Sequence, residues 1–151
     1  MKKLLLLFSL FTSFTLSYAQ YDPTIPSQRV PYAKQELKKK VSILNSYVPS
    51  QIDEGTILEK VYISPKNGNV VLRYSVDDSA IPMDNFDYTF IKNGLLEQLQ
   101  YDEANADLYW DVVVLKKNIV HLYVGIYSKK QKAVTLKYDE IRYFRNLAEW
   151  L

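Results

Sequence analysis

Few side chains in this sequence could perform acid–base, nucleophilic or metal chemistry. His121 is the single histidine among the 151 residues, and the chain has no cysteine. The usual zinc sites need several histidine or cysteine ligands, so a histidine-rich metal site and a cysteine nucleophile are both excluded. A Ser-His-Asp triad would have to use His121, which lies within a predicted strand rather than where loops converge. We therefore interpret His121 as a residue packed among cross-strand tyrosines.

Three acidic pairs could instead supply carboxylate chemistry: Asp53-Glu54, Asp77-Asp78 and Asp102-Glu103. None of them has the spacing of an EF-hand calcium loop. Glycoside hydrolysis needs only two well-placed carboxyl groups, so a carboxylate-dependent hydrolase stays open as an alternative. We interpret the pairs as solvated charges in turns, and we expect no enzyme activity, cofactor or metal.

The first 19 residues have the three parts of a secretory signal peptide. Lys2 and Lys3 form the basic region, Leu4–Leu16 the apolar core, and Ser17–Ala19 the small-x-small cleavage site. The apolar run is shorter than the roughly 20 residues that a membrane-spanning helix needs. Because no cysteine could carry a lipid, we expect an exported protein, periplasmic or secreted, that is not a lipoprotein and has no transmembrane segment when mature.

Charge and cysteine content restrict the possible partners. Cleavage would remove Lys2 and Lys3 from the 19 basic residues and none of the 17 acidic ones, which leaves 17 of each. A nucleic-acid-binding domain normally carries a clustered positive excess, so we expect no nucleic-acid partner. Without disulfides, an exported domain must be held together by its hydrophobic core.

After the signal peptide, residues 20–31 contain three prolines and predict an extended linker, and residues 32–151 predict one domain. The pattern predicts a basic amphipathic helix from Tyr32 to Tyr47, then a polar turn at residues 50–55. A hairpin follows, with its turn at Asn67-Gly68.

Asp84 is predicted to cap a second helix, and a C-terminal helix is predicted from Asp139 to the end of the chain. The segment 105–115 fits either a helix or a strand, and we favour a short helix. Strands at 119–127 and 133–138 complete the pattern. The predicted fold is α+β, an antiparallel sheet of about four strands with helices packed on one face, in the order α-β-β-α-(α)-β-β-α.

Strand alternation gathers polar and aromatic residues on the sheet face that points away from the helices. Tyrosine rings and basic side chains together could form a shallow platform for a glycan, an acidic ligand or a partner protein. An ordinary solvated sheet face has a similar composition, so both interpretations stay open. The predicted binding residues are Lys60, Tyr62, Arg73, His121, Tyr123, Tyr127 and Lys137, with Ser75 and Thr135 beside them.

Two resemblances add to this interpretation. The segment Val48–Thr56 and the strand pair that follows resemble small uncharacterised exported bacterial proteins of a Bacteroidota-like family, and this likeness brings no functional residues with it. The tripeptide Asp78-Ser79-Ala80 resembles the O-glycosylation sequon of exported Bacteroidota proteins. That resemblance implies that Ser79 is a modification site.

The sequence therefore favours a small non-enzymatic binding or accessory protein of the cell envelope, with a protein or glycan partner. An inhibitor or immunity-type protein that blocks an exported hydrolase is the alternative, with the loop Asp77–Pro82 inserted into the enzyme. A carboxylate-dependent hydrolase is the second alternative, and it would need a cleft lined by two acids with perturbed pKa values.

Overall fold

The described part of the fold is one five-stranded sheet and four α-helices. A computed structural model describes residues 21–79 and 82–147, so the predicted signal peptide lies outside the described residues. In chain order the elements are α1 (Arg29–Ser46), β1 (Ser50–Asp53), β2 (Thr56–Ile63), β3 (Val70–Val76), α2 (Tyr88–Leu99), α3 (Ala106–Val114), β4 (Ile119–Gly125), β5 (Gln131–Leu136) and α4 (Tyr138–Phe144). The α+β class is confirmed.

The sheet differs from the prediction of about four antiparallel strands. Its order is β1-β2-β3-β4-β5, and β3 pairs with β4 in parallel while the other pairs are antiparallel. The extra strand β1 was predicted as a turn because Ile52 is the only apolar residue in it. The parallel pair arises because the chain returns through α2 and α3 before it enters β4, and a crossover of this length allows parallel pairing.

The central hairpin of β2 and β3 is confirmed, although its turn is longer than predicted. Ile63 pairs with Val70, so the connection runs from Ser64 to Asn69. Gly68 has a φ of 75° and donates its N–H to the Ser64 carbonyl oxygen at 2.8 Å. Glycine occupies such a left-handed position without the steric cost that other residues have.

The helices agree with the prediction in number and differ at their ends. α1 begins at Arg29, inside the predicted linker, with Pro31 in its first turn, where the missing N–H costs nothing. The segment 105–115 forms α3, as we favoured. Asp84 does not cap α2, since the Asp87 carboxylate accepts the Phe90 N–H at 2.9 Å. Asp84 lies in a short 3-10 turn before the helix.

α4 is shorter than the predicted C-terminal helix and ends at Phe144, and residues 148–151 lie outside the described part. Ile141 is fully buried, while Phe144 and Leu147 pack against the core at its edge. The helix contacts α2 and α3. It is therefore part of this domain's own core.

The core lies between one face of the sheet and the helices. Its members come from every helix and from four strands: Leu37, Val41, Leu58, Val61, Val70, Leu72, Tyr74, Leu96, Leu99, Leu108, Val112, Val113, Ile119, Leu136 and Ile141. The opposite sheet face is open to solvent, and on it Val120, Leu122 and Val124 are only half-buried. This asymmetry fixes which side chains can reach a site between the sheet and the helices.

Asp78 connects the end of β3 to the turn that follows β4. Its carboxylate accepts the N–H groups of Tyr127 at 2.9 Å and of Ser128 at 3.2 Å. A hydrogen bond from the Ser128 side chain, together with these two N–H groups, lowers the pKa of Asp78. Gly125 lies against this carboxylate, and a Cβ added at Gly125 would meet Asp78 Oδ2 and, at 2.6 Å, Ser128 Oγ.

Replacing Gly125 with alanine should therefore lower the free energy of unfolding by about 1–3 kcal/mol, because the extra methyl group must displace the Asp78 carboxylate. Gly94 is the matched control, since a Cβ there meets nothing within 4 Å. Gly94→Ala lies within α2 and should stabilise by up to about 1 kcal/mol. Urea denaturation of both variants measures the two changes. Equal effects at both positions would contradict the role of Asp78.

Candidate functional site

The residues of the predicted sheet-face platform do not share one face of the sheet. Lys60, Tyr62 and Arg73 lie on the open face as predicted, with Lys60 paired to Arg73 across the hairpin. The Lys60 ammonium group lies 5.3 Å from the centroid of the Tyr62 ring, a cation–π distance. These three residues form a small solvated cluster on a flat surface.

The face prediction is wrong for His121 and Tyr123. The register pairs His121 with Leu72 and Tyr123 with Tyr74, so both point to the helix-covered face. The aliphatic residues of β4 were predicted to be its core face because of their composition. The parallel pairing with β3 reverses this assignment, since side chains paired across neighbouring strands share a face.

Ser75 of β3 and Thr135 of β5 lie within the sheet, and the other predicted residues lie outside it. Tyr127 is 67% exposed in the turn after β4, and Lys137 is exposed immediately before α4. Ser79 is exposed, and its hydroxyl group donates to Asp77 Oδ1 at 2.6 Å. Its glycosylation stays a prediction, and Ala80 of the sequon lies outside the described residues.

An aromatic row lies on the helix-covered face where β3 and β4 run side by side. Tyr74 stacks on Tyr123 with ring centroids 4.9 Å apart and planes 13° apart. His121 also stacks on Tyr74 with ring centroids 5.8 Å apart. Its Nδ1 is 3.0 Å from the tyrosine hydroxyl oxygen. Phe86 packs at a tilt on Tyr123 with centroids 5.1 Å apart. The parallel register brings these rings together from separate parts of the chain.

Burial keeps this row uncharged. It lowers the pKa of His121 to about 4, so the imidazole is neutral at pH 7. Burial raises the pKa of Tyr123 to about 12, and the nearby Asp53 carboxylate contributes to that rise. The pKa of Tyr74 is raised well above its usual value for the same main reason. The row therefore offers neutral aromatic surface at physiological pH.

A small apolar cavity lies behind the row, and we call it the inner cavity. Its volume is about 130 Å³. Most of its walls are aliphatic, including Val61, Val70, Leu72, Leu99 and Leu136, and the Tyr74–His121 pair forms one part of the lining. Such a volume suits a single small apolar group.

A larger groove lies in front of the row, with a volume of about 1100 Å³. Tyr74 and Tyr123, which we call the tyrosine floor, line its base. One wall is formed by the β1–β2 turn and the end of β3, and the other by the 3-10 turn and α2. Phe90 of α2 is 69% exposed beside it.

The groove and the inner cavity share four lining residues, Tyr74, Leu95, Gln98 and Tyr101. Tyr101 is 70% exposed, so the shared region reaches the surface. The two spaces therefore meet beside the tyrosine floor.

Among the described residues, the charged side chains that line the groove are all acidic. Four carboxyl groups line it, those of Asp53, Glu54, Asp77 and Glu97. None of the described residues that line it is a lysine or an arginine. The groove is therefore acidic around an aromatic base, although the charges of the predicted mature chain balance.

A general acid at neutral pH typically has a raised pKa. Asp77 has a lowered pKa because the hydroxyl and N–H groups of Ser79 donate to it. Asp111 has a pKa raised to about 7, but it lies between α1 and α3 with Lys40. Among residues 21–79 and 82–147, no group of three or more histidine, aspartate or glutamate side chains is placed to hold a metal ion.

The loop that was predicted to insert into an enzyme is anchored at its start. The Asp77 N–H donates to the Gly55 carbonyl oxygen at 2.7 Å, and the buried Asp78 carboxylate points to the turn after β4. Residues 80 and 81 lie outside the described part. The described start of the loop forms part of the groove wall.

Sequence reasoning missed the groove because it assigned its aromatic residues elsewhere. It placed Tyr123 on the open sheet face and proposed neither Phe86 nor Phe90 for a site. A signal was present in the aromatic residues around α2. Phe90 and Tyr101 are exposed aromatic side chains beyond the buried residues of the helix, Leu96 and Leu99.

No known family model and no curated protein matches this chain. It is similar in structure to a protein of Pseudomonas aeruginosa described as a "putative secreted protein". The two have 12% sequence identity and a TM-score of 0.58, and the match covers 73% of this chain and 93% of the Pseudomonas protein. At this identity the likeness shows a shared fold alone, and it gives no support to a Bacteroidota origin.

Proposed function

We propose that this chain is an exported, non-catalytic binding protein and that its ligand occupies the groove. The observation that carries the proposal is that the groove and the inner cavity lie side by side at the tyrosine floor and share four lining residues. A concave, mostly apolar space with a few polar groups at its edge is the usual form of a small-molecule site.

Two further observations support binding rather than catalysis. The single histidine is buried, and burial lowers its pKa to about 4, far from the value that suits a general base at neutral pH. The lowered pKa of Asp77 likewise disfavours it as a proton donor.

Export rests on the signal-peptide pattern of residues 1–19. In residues 21–79 and 82–147, no helix is long and apolar enough to span a bilayer. The Pseudomonas protein with the same fold is itself described as secreted, which agrees with this part of the proposal.

A fragment library screened by protein-observed NMR tests the site. Shifts induced by the bound fragments should centre on Tyr123, Leu95 and Gln98, which line the groove, and should spare Arg73 on the open sheet face. Leu95→Trp fills the junction of groove and cavity, and it should weaken fragment binding at least about tenfold, equivalent to about 1.4 kcal/mol.

Leu122→Trp is the matched control, because Leu122 is also half-buried but lies on the open sheet face. It should leave fragment affinity unchanged. A second pair avoids any effect of overpacking: Phe90→Ala removes an exposed groove ring, and Tyr143→Ala removes a ring that is 80% exposed on α4. Fragments that bind mainly at Arg73 and Leu122, or binding that neither groove variant weakens, would reject the groove as the site.

A further inference from the structure

We propose that the groove and the inner cavity together select a small cationic amphiphile. Its apolar group, about the size of a benzene ring, enters the inner cavity, and its amine or guanidinium group lies over the tyrosine floor between the groove carboxylates. This inference rests on the proposed function and names the ligand class of the same site.

The size and the mostly apolar walls of the inner cavity specify the apolar group. An apolar protein cavity of about 150 Å³ stays empty of water and binds benzene. The inner cavity has about 130 Å³ and is walled mainly by leucine, valine and isoleucine side chains. A phenyl ring or a short branched alkyl group matches this space.

The polar groups of Tyr74, Tyr109 and Asn105, which line the inner cavity, already have hydrogen-bond partners, so they do not call for a polar group there. The Tyr74 hydroxyl is hydrogen-bonded to His121. Tyr109 donates its hydroxyl proton to Asp102 Oδ2 at 2.5 Å, and the Asn105 amide donates to the same carboxylate. A ligand that placed a polar atom among them would lose its own hydration without a replacement hydrogen bond.

The groove specifies the charged group. Asp53, Glu54 and Asp77 come from the strand side and Glu97 from α2, so carboxylates stand on both walls. None of the four forms an ion pair with a lysine or arginine in the described residues. A cation between the walls would be attracted by both sides and by the faces of the tyrosine rings.

The two parts are close enough for one small molecule. Tyr74 lines both spaces, with its ring in the tyrosine floor and its hydroxyl group beside His121. A ring connected to an amine by a chain of two or three carbons would span this junction. Asp53 lies near enough to the floor to affect the ionisation of Tyr123, which places a carboxylate where the amine would emerge.

Three matched probes test the ligand class: 2-phenylethylamine, which is cationic, 2-phenylethanol, which is neutral, and 3-phenylpropionate, which is anionic. Isothermal titration at pH 7 and low salt should show at least about tenfold tighter binding of the amine than of either analogue. The difference should shrink in 0.5 M NaCl, because salt screens charges at an open groove.

The double variant Asp53→Asn/Asp77→Asn isolates the charge. Asparagine can keep the hydrogen bonds that Asp53 accepts from Gly55 and Asp77 from Ser79. The variant should weaken the amine about tenfold and change the neutral alcohol less than about twofold. Asp22→Asn/Asp139→Asn makes the same change of net charge outside the groove and should leave both affinities unaltered.

The outcomes separate this inference from the proposed function. Equal binding of the three probes, lost in Leu95→Trp, would overturn the ligand class and leave the groove as the binding site. The same conclusion follows if only fragments without a positive charge bind there. If neither the probes nor any fragment binds at the groove, both proposals fail. Self-association that Phe90→Ala abolishes would assign the groove to a second copy and also overturn the ligand class.

Discussion

Replacing Lys40 with methionine should lower the free energy of unfolding by about 3–5 kcal/mol at pH 8, the usual cost of removing one partner of a buried ion pair. The Lys40 ammonium group lies 2.6 Å from Asp111 Oδ2, and the Asp111 side chain is completely buried between α1 and α3. The second carboxylate oxygen, Oδ1, has no hydrogen-bond partner among the described residues. Without Lys40, the ionised carboxylate would have no compensating charge.

The size of this loss should depend on pH. Burial raises the pKa of Asp111 from 3.8 to about 7, while Lys40 opposes that rise. Removing Lys40 should raise the pKa further, so near pH 5 the carboxyl group is protonated in both proteins and the loss should be smaller. Denaturation with guanidinium chloride at pH 5 and pH 8 measures the difference.

The double variant Lys40→Met/Asp111→Asn is the control, because it removes both charges. It should recover most of the stability that Lys40→Met loses at pH 8, since paired charges can often be replaced by neutral groups at little cost. A Lys40→Met variant that loses the same free energy at both pH values would show that packing of the lysine side chain, rather than the charge of Asp111, determines the effect.

The features that depend on local sequence pattern were predicted correctly. The features that depend on pairing between distant segments were not. The hairpin followed from the residues flanking Asn67-Gly68. The spacing at residues 105–115 fitted both a helix and a strand, and the favoured helix is the one that forms. β1 was missed, because an edge strand with a single apolar residue, Ile52, has almost no periodic signal. The parallel pairing of β3 with β4 is set by the path of the chain through α2 and α3, which no local pattern records.

The candidate site was unpredictable for the same reason. Alternation in β4 correctly separated His121 and Tyr123 from the aliphatic residues, but it could not say which set faces the helices. Composition favoured the aliphatic set as the face toward the helices. The register with Leu72 and Tyr74 instead places His121 and Tyr123 on that face. A shift of one residue in the pairing register moves every side chain of a strand to the opposite face of the sheet. The groove exists because the aromatic set lies inside.

His121 and Asp111 should make opposite contributions to the pH dependence of stability. Burial lowers the pKa of His121 from 6.5 to about 4, so the unfolded chain binds a proton more readily and stability is lost as the pH falls below 6.5. The raised pKa of Asp111 has the reverse sign, because the folded state then binds the extra proton. Between about pH 4 and 6.5 the two contributions should nearly cancel in the parent protein.

Asp111→Asn should expose the contribution of His121. Each pKa unit corresponds to about 1.4 kcal/mol, so this variant should lose on the order of 3 kcal/mol of unfolding free energy as the pH falls from 7 to 4. Tyr74 and Tyr123, the rings beside His121, have raised pKa values and do not titrate in this range. Denaturant titrations at half-unit pH intervals measure the slope relative to the parent protein.

His121→Gln is the opposite arm of the experiment, because it removes the imidazole and leaves Asp111 in place. Relative to the parent protein, its stability should increase as the pH falls from about 7 to 4, since the proton bound by the buried Asp111 carboxyl group is then no longer opposed by His121. The carboxylates with lowered pKa values, such as Asp77 and Asp78, are present in all three proteins, so their effect cancels in the comparison. Parallel pH profiles for the parent and both variants would show that neither buried group controls the acid stability of the fold.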